Sequence, residues 1–403
     1  MKRINYHLPL ALFRLHHVFF SWSIVMKFFK SFGLLLSFCC ILFSCHSTHR
    51  QVAEGMRYAT YLHLEQGEGW TCVEIINPWK DGDILQRYIL IPQGEEVPTH
   101  KPEGVVIRTP LDRCAFLSAP HAALAIELNA QDAIAGISDT AYIISPALRK
   151  MLHTGDVVSL GSSMQPDKER IAQIAADALF ASPYEGGNLA SNLPNKCPII
   201  LCADYMETSA LGRAEWMKFY GMLWGKSEMA DSLFNAVEEG YLTLCRHAEQ
   251  TTTRPRLMCD MKQGASWPMP GGNSYLGKLF ADAGAEYIFA HRPENGSVFL
   301  SLEEVLARGA HSDVWMIKYG ARHSATYESL QQALPQCTAF KAYNEGNVWH
   351  CNTLQKPYYE EVPFHPERLL QDIIALLHPK SFPGYEPRYY QKMTVSNTTD
   401  ISE

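Results

Sequence analysis

The sequence predicts an α/β protein of two lobes joined by one long α-helix, with a small β-meander ahead of them. Three observations carry this prediction. Short apolar runs rich in β-branched residues alternate with segments of helical periodicity, the pattern of helices layered around a parallel sheet. Between two such alternating stretches, Ser209 to Ala248 reads as helix throughout, with no Pro and only isolated Gly. The chain of 403 residues also exceeds one ordinary core, since domains commonly run to about 100–200 residues.

The first segment, residues 1–45, is a secretory signal. From Met26 the chain reads Lys27, Phe28, Phe29, Lys30 and then an apolar run from Phe32 to Phe43, a charged n-region followed by an h-region. The run is too short to span a bilayer comfortably. Lys27 and Lys30 interrupt the longer apolar stretch from Leu8 onward, which would otherwise read as an uncleaved anchor. A signal that begins at Met26 has the usual length, so Met26 makes a better start than Met1. Its end, Leu42-Phe43-Ser44-Cys45, resembles a bacterial lipobox, which implies diacylglycerol on Cys45 and attachment to the periplasmic face of a membrane.

Residues 46–104 read as a polar tether and a meander. Tyr58 to Leu64, Trp70 to Ile76 and Arg87 to Ile91 are strand-like and separated by turn chemistry such as Pro78-Trp79-Lys80-Asp81-Gly82. Residues 105–208 form the first lobe. Strand Arg113 to Leu117 leads through Ser118-Ala119-Pro120 into a helix, His121 to Leu128, and then strand Ala133 to Ile137. Helical Lys168 to Ala176 and strands Ala178 to Phe180 and Pro198 to Cys202 follow. The linking helix occupies 209–250; at about 1.5 Å per residue it would reach roughly 50 Å, with a break near Gly221 or Gly225 left open. In the second lobe, 251–380, strand Arg256 to Asp260, helix Ser274 to Ala283 and strand Tyr287 to Phe289 come first. Helix Ser301 to Arg308, strands Val314 to Ile317 and Asn347 to His350, and helix Pro366 to Leu377 complete it, leaving 381–403 as a tail.

Composition removes several functions. The net charge is −7 and the basic residues are scattered, which is not the footprint of a nucleic-acid binder. Of eleven cysteines, Cys39 and Cys40 belong to the signal and Cys45 carries lipid. The rest form no CxxC pair, and Cys197 and Cys202 have the wrong spacing for a zinc knuckle, so buried or bridged thiols are expected. His46 and His49 read as tether composition. No G-x-S-x-G, H-E-x-x-H or P-loop is present, and Gly271-Gly272 is a turn without the Lys/Ser pair of a phosphate cradle.

Several strings share one order with a known family. In the first lobe these are Arg113 to Ser118, Asp132 to Ile137 and Val158 to Gly161 with Pro166, Glu169 and Ile171. In the middle, Asp204 to Ser209 runs into Gly212 to Trp216. In the second lobe, Trp267 and Pro270 to Leu276 lead to Ala281 to Ala285, followed by Ser301 to Leu306, Asp313 to Trp315, Ala339 to Ala342 and Gly346 to Val348. Over about residues 105–380 the chain resembles the class III periplasmic binding proteins, which serve cobalamin and iron-chelate importers. The meander is not part of that general fold, and Gln165-Pro166-Asp167 lacks the usual Asn.

The resemblance implies two Rossmann-like lobes, a ligand cleft at the carboxyl ends of the strands, and little movement on closure because the linking helix resists bending. It implies capture of cobalamin, a ferric siderophore or haem, with delivery to an ABC importer permease. No cofactor, catalytic residue or resident metal is expected, and a monomer is. Post-strand loops supply the ligand candidates: Ser118 and His121 in the first lobe, and Trp267, Met269, Tyr275 and Tyr319 in the second. The flat faces of Trp267, Tyr275 and Tyr319 suit a macrocycle or aromatic chelate, with core packing the alternative for each. Trp267, in a loop held by Pro268, Pro270 and the glycine turn, is expected to be the main aromatic wall. His121 has the chemistry of an axial ligand but also the position of a capping or packing residue. Glu286, then Glu185, are the acidic residues for permease docking. Other readings are a metal-chelate-processing enzyme or insertion factor on the same scaffold, and a receptor or adhesin using the meander.

Overall fold

A computed structural model describes residues 55–187 and 197–395; Cys45, the signal and the tether histidines lie outside them. Ahead of the lobes, strands β1 (Leu62–Gly67), β2 (Trp70–Ile76) and β3 (Ile84–Pro92) form the expected antiparallel meander. A fourth strand, β4 (Val105–Thr109), extends it and runs parallel to β3, because the connection over 93–104 carries the chain back before pairing.

This small sheet is fixed to the body by polar bonds. Two buried carboxylates, Glu207 and Glu215, accept the backbone N–H groups of the segment entering β1. Glu215 takes those of Arg57, Tyr58 and Ala59, and Glu207 those of Thr60 and Tyr61. On β3, the Tyr88 hydroxyl donates to Ile199 O and accepts from Leu201 N. Charged groups that accept several N–H bonds tolerate burial, whereas unpaired ones would not.

The first lobe begins with β5 (Cys114–Phe116) and α1 (Ala119–Glu127), followed by β6 (Ile134–Ile137), α2 (Pro146–Thr154) and β7 (Val158–Ser159). A two-stranded turn, β8 (Gly161–Ser162) and β9 (Gln165–Pro166), precedes α3 (Lys168–Gln173), β10 (Ala178–Ala181) and β11 (Ile199–Leu201). The sheet is wholly parallel in the order β11-β10-β5-β6-β7. β5 and β10 are buried at every position, as expected where both faces are covered.

The linking segment corrects the expectation of one continuous helix. It is two helices, α4 (Ala210–Leu223) and α5 (Ser227–Glu249), turned back on each other at Gly225, whose φ of +64° suits glycine. The two approach so closely that a Cβ on Gly221 would lie 2.4 Å from that of Ala230. The Lys218 ammonium sits 4.6 Å from the Phe234 ring. α4 belongs with the first lobe, stacking Trp224 on Phe180 at 5.6 Å. α5, 23 residues long and so about 34 Å, carries the chain to the second lobe.

That lobe opens with β12 (Arg256–Cys259), β13 (Trp267–Pro270), α6 (Tyr275–Asp282), β14 (Glu286–Tyr287) and β15 (Ser297–Leu300). It continues with α7 (Leu302–Gly309), β16 (Val314–Tyr319), α8 (Tyr327–Ala333), α9 (Lys341–Asn344) and β17 (Val348–Asn352). It closes with α10 (Tyr358–Glu361), α11 (Pro366–Leu377) and β18 (Gln391–Lys392), so the expected tail contributes an edge strand. The main sheet runs β14-β12-β16-β17-β18, parallel except at β18. β13 and β15 form a separate antiparallel pair. Serine side chains cap the helix starts: Ser274 accepts from Gly277 N and Ser301 from Glu304 N.

Candidate functional site

The strands of both lobes end at one cavity of about 580 Å³, within the range of small-molecule sites. The first lobe supplies Ser118 after β5, Asp139 and Tyr142 after β6, Met164 from the β8–β9 turn, and Tyr184 after β10. The second supplies Gly320 after β16, and Lys356, Tyr359 and Glu360 after β17. Four large apolar or aromatic side chains here face open space: Met164 is 87% exposed, Tyr142 63%, Tyr359 57% and Tyr184 56%. Exposed aromatic surface from both lobes around one cavity is what a flat apolar ligand covers.

Under this surface lies a buried polar chain. Ser118 Oγ is 2.7 Å from His121 Nδ1, and His121 Nε2 is 2.9 Å from Asp204 Oδ1. Asp204 also accepts from the Tyr220 hydroxyl at 3.0 Å and from Arg213 Nε at 3.2 Å. His121 and Asp204 are shut away from solvent. Burial by itself disfavours the Asp204 carboxylate, but His121, Arg213 and Tyr220 outweigh it and hold the group well below the ordinary range. Burial likewise opposes charge on His121, yet the neighbouring Cys202 and the ionised Asp204 raise it to about 10. The pair is therefore an ion pair inside the protein.

The lobes are also stapled beside the cavity. Glu360 Oε1 accepts the backbone N–H groups of Ile144 at 2.7 Å and Ser145 at 3.1 Å across the cleft. Its Oε2 is buried with no hydrogen-bond partner among the described residues, and burial raises its pKa. A second link joins His365 Nε2 to Glu127 at 2.7 Å, while His365 Nδ1 meets Glu367 at 2.9 Å. Burial disfavours its charge, but the two carboxylates raise its pKa overall.

A family model described as periplasmic binding protein matches residues 115–353, more than half of the chain. The chain belongs to this family, in its class III, cobalamin and iron-chelate branch. Among curated proteins it is 25% identical over 385 residues to uncharacterized lipoprotein MJ0878 of Methanocaldococcus jannaschii, covering 87% of this chain and 88% of that protein. It is 24% identical to uncharacterized lipoprotein MJ0872 of the same organism, covering 78% and 83%. Among solved structures, a periplasmic haem-binding protein of Pseudomonas aeruginosa superposes with a TM-score of 0.56 at 15% identity, covering 71% of this chain and all of that one. The apo haem-binding protein RhuT of Roseiflexus sp. RS-1 gives 0.54 at 16%, covering 67% and 99%. An ABC-type Fe3+-hydroxamate transport protein of Saccharomonospora viridis gives 0.52 at 16%, covering 67% and 94%. At such identities the structural likeness shows the shared fold.

In this periplasmic binding protein the predicted residues divide by lobe. Ser118 lines the cavity, and His121 stands directly behind it. Trp267 is not a cavity wall. It is fully buried in β13, donates its indole N–H to Cys259 O at 3.1 Å, and packs 5.9 Å from Trp315 and 6.0 Å from Phe340. Met269 is buried two residues on, its sulfur 3.8 Å from Cys259 Sγ. Tyr275 lies under the Arg213 guanidinium at 5.8 Å, its hydroxyl reaching Val362 O at 3.4 Å. Tyr319 points to His350, with 2.9 Å from its hydroxyl to Nδ1, and accepts from Ala325 N. None of these four lines the cavity. For Trp267 and Met269 the physical reason is that β13 belongs to an antiparallel pair outside the parallel sheet. Tyr275 sits in α6 with its hydroxyl toward Val362, and Tyr319 ends β16 with its hydroxyl held by His350 and Ala325.

Tyr142, Met164, Tyr184, Lys356, Tyr359 and Glu360 were not singled out from sequence. The available signal was position: Tyr142, Tyr184 and Tyr359 each follow a parallel strand's carboxyl end within a few residues. The two acidic docking candidates do not share a face. Glu286 is the first residue of β14 and pairs with Arg256, the first of β12, at the strands' amino ends away from the cavity. Exposed Glu185 follows β10 beside Tyr184 at the cavity. Among the described residues no cluster of three His, Cys, Asp or Glu suits a metal ion, and no helix is long and apolar enough to cross a membrane. The eight described cysteines are free thiols, so Cys197 and Cys202 are not bridged.

Proposed function

We propose that this protein captures a metal chelate, namely cobalamin, a ferric siderophore or haem, in the cleft between its lobes and hands it to an ABC importer permease. Lipid on Cys45 would hold it at the periplasmic face of the membrane, which accords with the lipoprotein names of its archaeal relatives. The observation that carries this reading is the cavity at the converging strand ends, with Tyr142, Tyr184 and Tyr359 exposed around it. Rings from both lobes can cover two faces of one planar or compact ligand, and the haem and Fe3+-hydroxamate names on structural neighbours accord with that chemistry. Docking to the permease is assigned to the cleft rim, where Glu185 stands.

The test is titration of the purified full chain, in detergent, with haemin, ferrioxamine B and cyanocobalamin, followed by absorption and tryptophan fluorescence. Saturable one-to-one binding of one of the three in the micromolar range or tighter, about −8 kcal/mol, is expected. Absence of saturable binding to all three would remove the reading.

A further inference from the structure

Ser118, His121 and Asp204 are joined in the order of a nucleophile, a base and an acid. The protons on these groups give a different role. Asp204 is an acceptor for three donors: His121 Nε2, the Tyr220 hydroxyl and Arg213 Nε. Nε2 therefore carries a proton, and what remains open is Nδ1, which faces Ser118 Oγ at 2.7 Å. If Nδ1 is bare, the serine hydroxyl donates to it and offers the cavity only lone pairs. If Nδ1 is protonated, it donates to Oγ, and the hydroxyl hydrogen is free to point into the cavity.

Every charged group around the ring favours the protonated state or leaves it undisturbed. Asp204 lies against Nε2, with Arg213 reaching only the far carboxylate oxygen. The Tyr220 ring meets the imidazole edge-on at 5.0 Å, the Phe364 ring approaches at 5.9 Å, and the Cys202 thiol donates to Ile200 O. Against the burial that opposes it, the Asp204 carboxylate bonded to Nε2 raises the His121 pKa, in keeping with this. An imidazolium does not accept the serine proton, so this arrangement disfavours general-base activation of Ser118 at neutral pH. Across the cavity, the Lys356 side chain makes no ion pair among the described residues. Asp139, the competing anion on the first lobe, has Oδ1 occupied by Ser163 N at 3.2 Å.

We propose that Ser118, held as a hydrogen-bond donor by His121 and Asp204, receives an anionic oxygen of the ligand, a carboxylate or equivalent acid group at the periphery of the chelate. This rests on the chelate-binding reading and narrows it to acid-bearing chelates. Ser118 contacts the ligand; His121 and Asp204 act through it as positioning residues. The acid group enters at the cavity floor while the tyrosines cover the apolar body.

The experiment compares haemin, which carries two carboxylates, with its dimethyl ester, which carries none, on the purified full chain. Haemin is expected to bind at least about tenfold more tightly than the ester, the scale of one charge-assisted hydrogen bond. Ser118→Ala should bring haemin to the affinity of the ester, and Ser118→Thr should restore most of the preference. The haemin preference should fade as pH rises through about 10, also in a Lys356→Met background, and show no such step in Ser118→Ala or His121→Asn. Equal binding of haemin and ester, a preference that survives Ser118→Ala, or binding of ferrioxamine B without haemin would overturn the inference and leave chelate binding standing. Failure of haemin, ferrioxamine B and cyanocobalamin alike would overturn both. Covalent labelling of Ser118 by a fluorophosphonate would show an activated nucleophile and refute the donor role.

Discussion

The two halves of the cleft are built by opposite means. In the first lobe a polar chain lies beneath the surface: of its members Ser118 alone reaches the cavity, and behind it His121, Asp204 and Tyr220 are buried, with half-buried Arg213 bonded to Asp204. In the second lobe the polar groups stand on the connection and short helix α10 after β17, where Lys356 and Tyr359 are displayed and Glu360 reaches across to the other lobe. A floor embedded in the core couples binding chemistry to folding stability. An exposed rim residue such as Tyr359 does not, so it can change affinity with little effect on the fold.

The largest expected effect tests the floor. Asp204→Ala leaves a buried imidazolium without its counter-charge, and loss of one partner of a buried pair costs about 3–5 kcal/mol. Denaturant unfolding should show it; a change below about 1 kcal/mol would mean that the ion pair is not buried as described. Comparable in size is Trp267→Ala, a large cavity in the second-lobe core worth about 3–5 kcal/mol. Chelate affinity measured where this variant remains folded should be unchanged, the reverse of the outcome for a ligand wall.

The pH dependence of stability follows from the same floor. Asp204 is held below its unfolded value, so its contribution is present above about pH 4 and is lost as pH falls through the depressed folded value. His121 is raised to about 10, so its contribution is complete below an unfolded value of about 6.5 and fades as pH rises through 10. Chemical denaturation from pH 6 to 10.5 should show falling stability that a His121→Phe variant lacks. An equal slope in the variant would assign the decline to other groups.

Smaller effects sharpen the contrast at the rim. Glu360→Ala leaves the Ile144 and Ser145 N–H groups without their acceptor, at about 1–3 kcal/mol if they stay buried. Faster hydrogen exchange confined to residues around 144 and 145 would report the loosened staple, and unchanged exchange there would contradict it. Tyr359→Ala removes a mostly exposed ring, so stability should move by no more than about 0.5 kcal/mol. Affinity should fall about tenfold or more, as for truncation of an aromatic anchor. Unchanged affinity would move the ligand off this wall.

How far the sequence could be read also divides by region. The alternation of strands and helices was legible because β5, β10 and β16 are short apolar runs buried by helices on both sides. Ser118 and His121 were legible because a small turn between β5 and α1 sits at a strand's carboxyl end. Trp267 misled for a local reason: the proline and glycine spacing that looked like a rigid loop is an antiparallel strand, which turns the indole inward onto Trp315. The link at Asp204 is 83 positions from His121 in sequence and left no local pattern. The reversal at Gly225 was open in the sequence because a lone glycine can sit within a helix or end one, and only the packing of Gly221 on Ala230 decides it. Glu207 and Glu215, which hold the N-terminal segment, look like ordinary helix-region carboxylates until their backbone partners are known.

The most direct measurement of the central claim is a crystal structure of the chain with whichever of haemin, ferrioxamine B or cyanocobalamin it binds most tightly. Ligand density is expected between Tyr142 and Tyr359, above Ser118, with the Trp267 side chain still packed on Trp315 and Phe340. Density on the N-terminal sheet, or in a second-lobe pocket that has displaced Trp267 from that core, would contradict it.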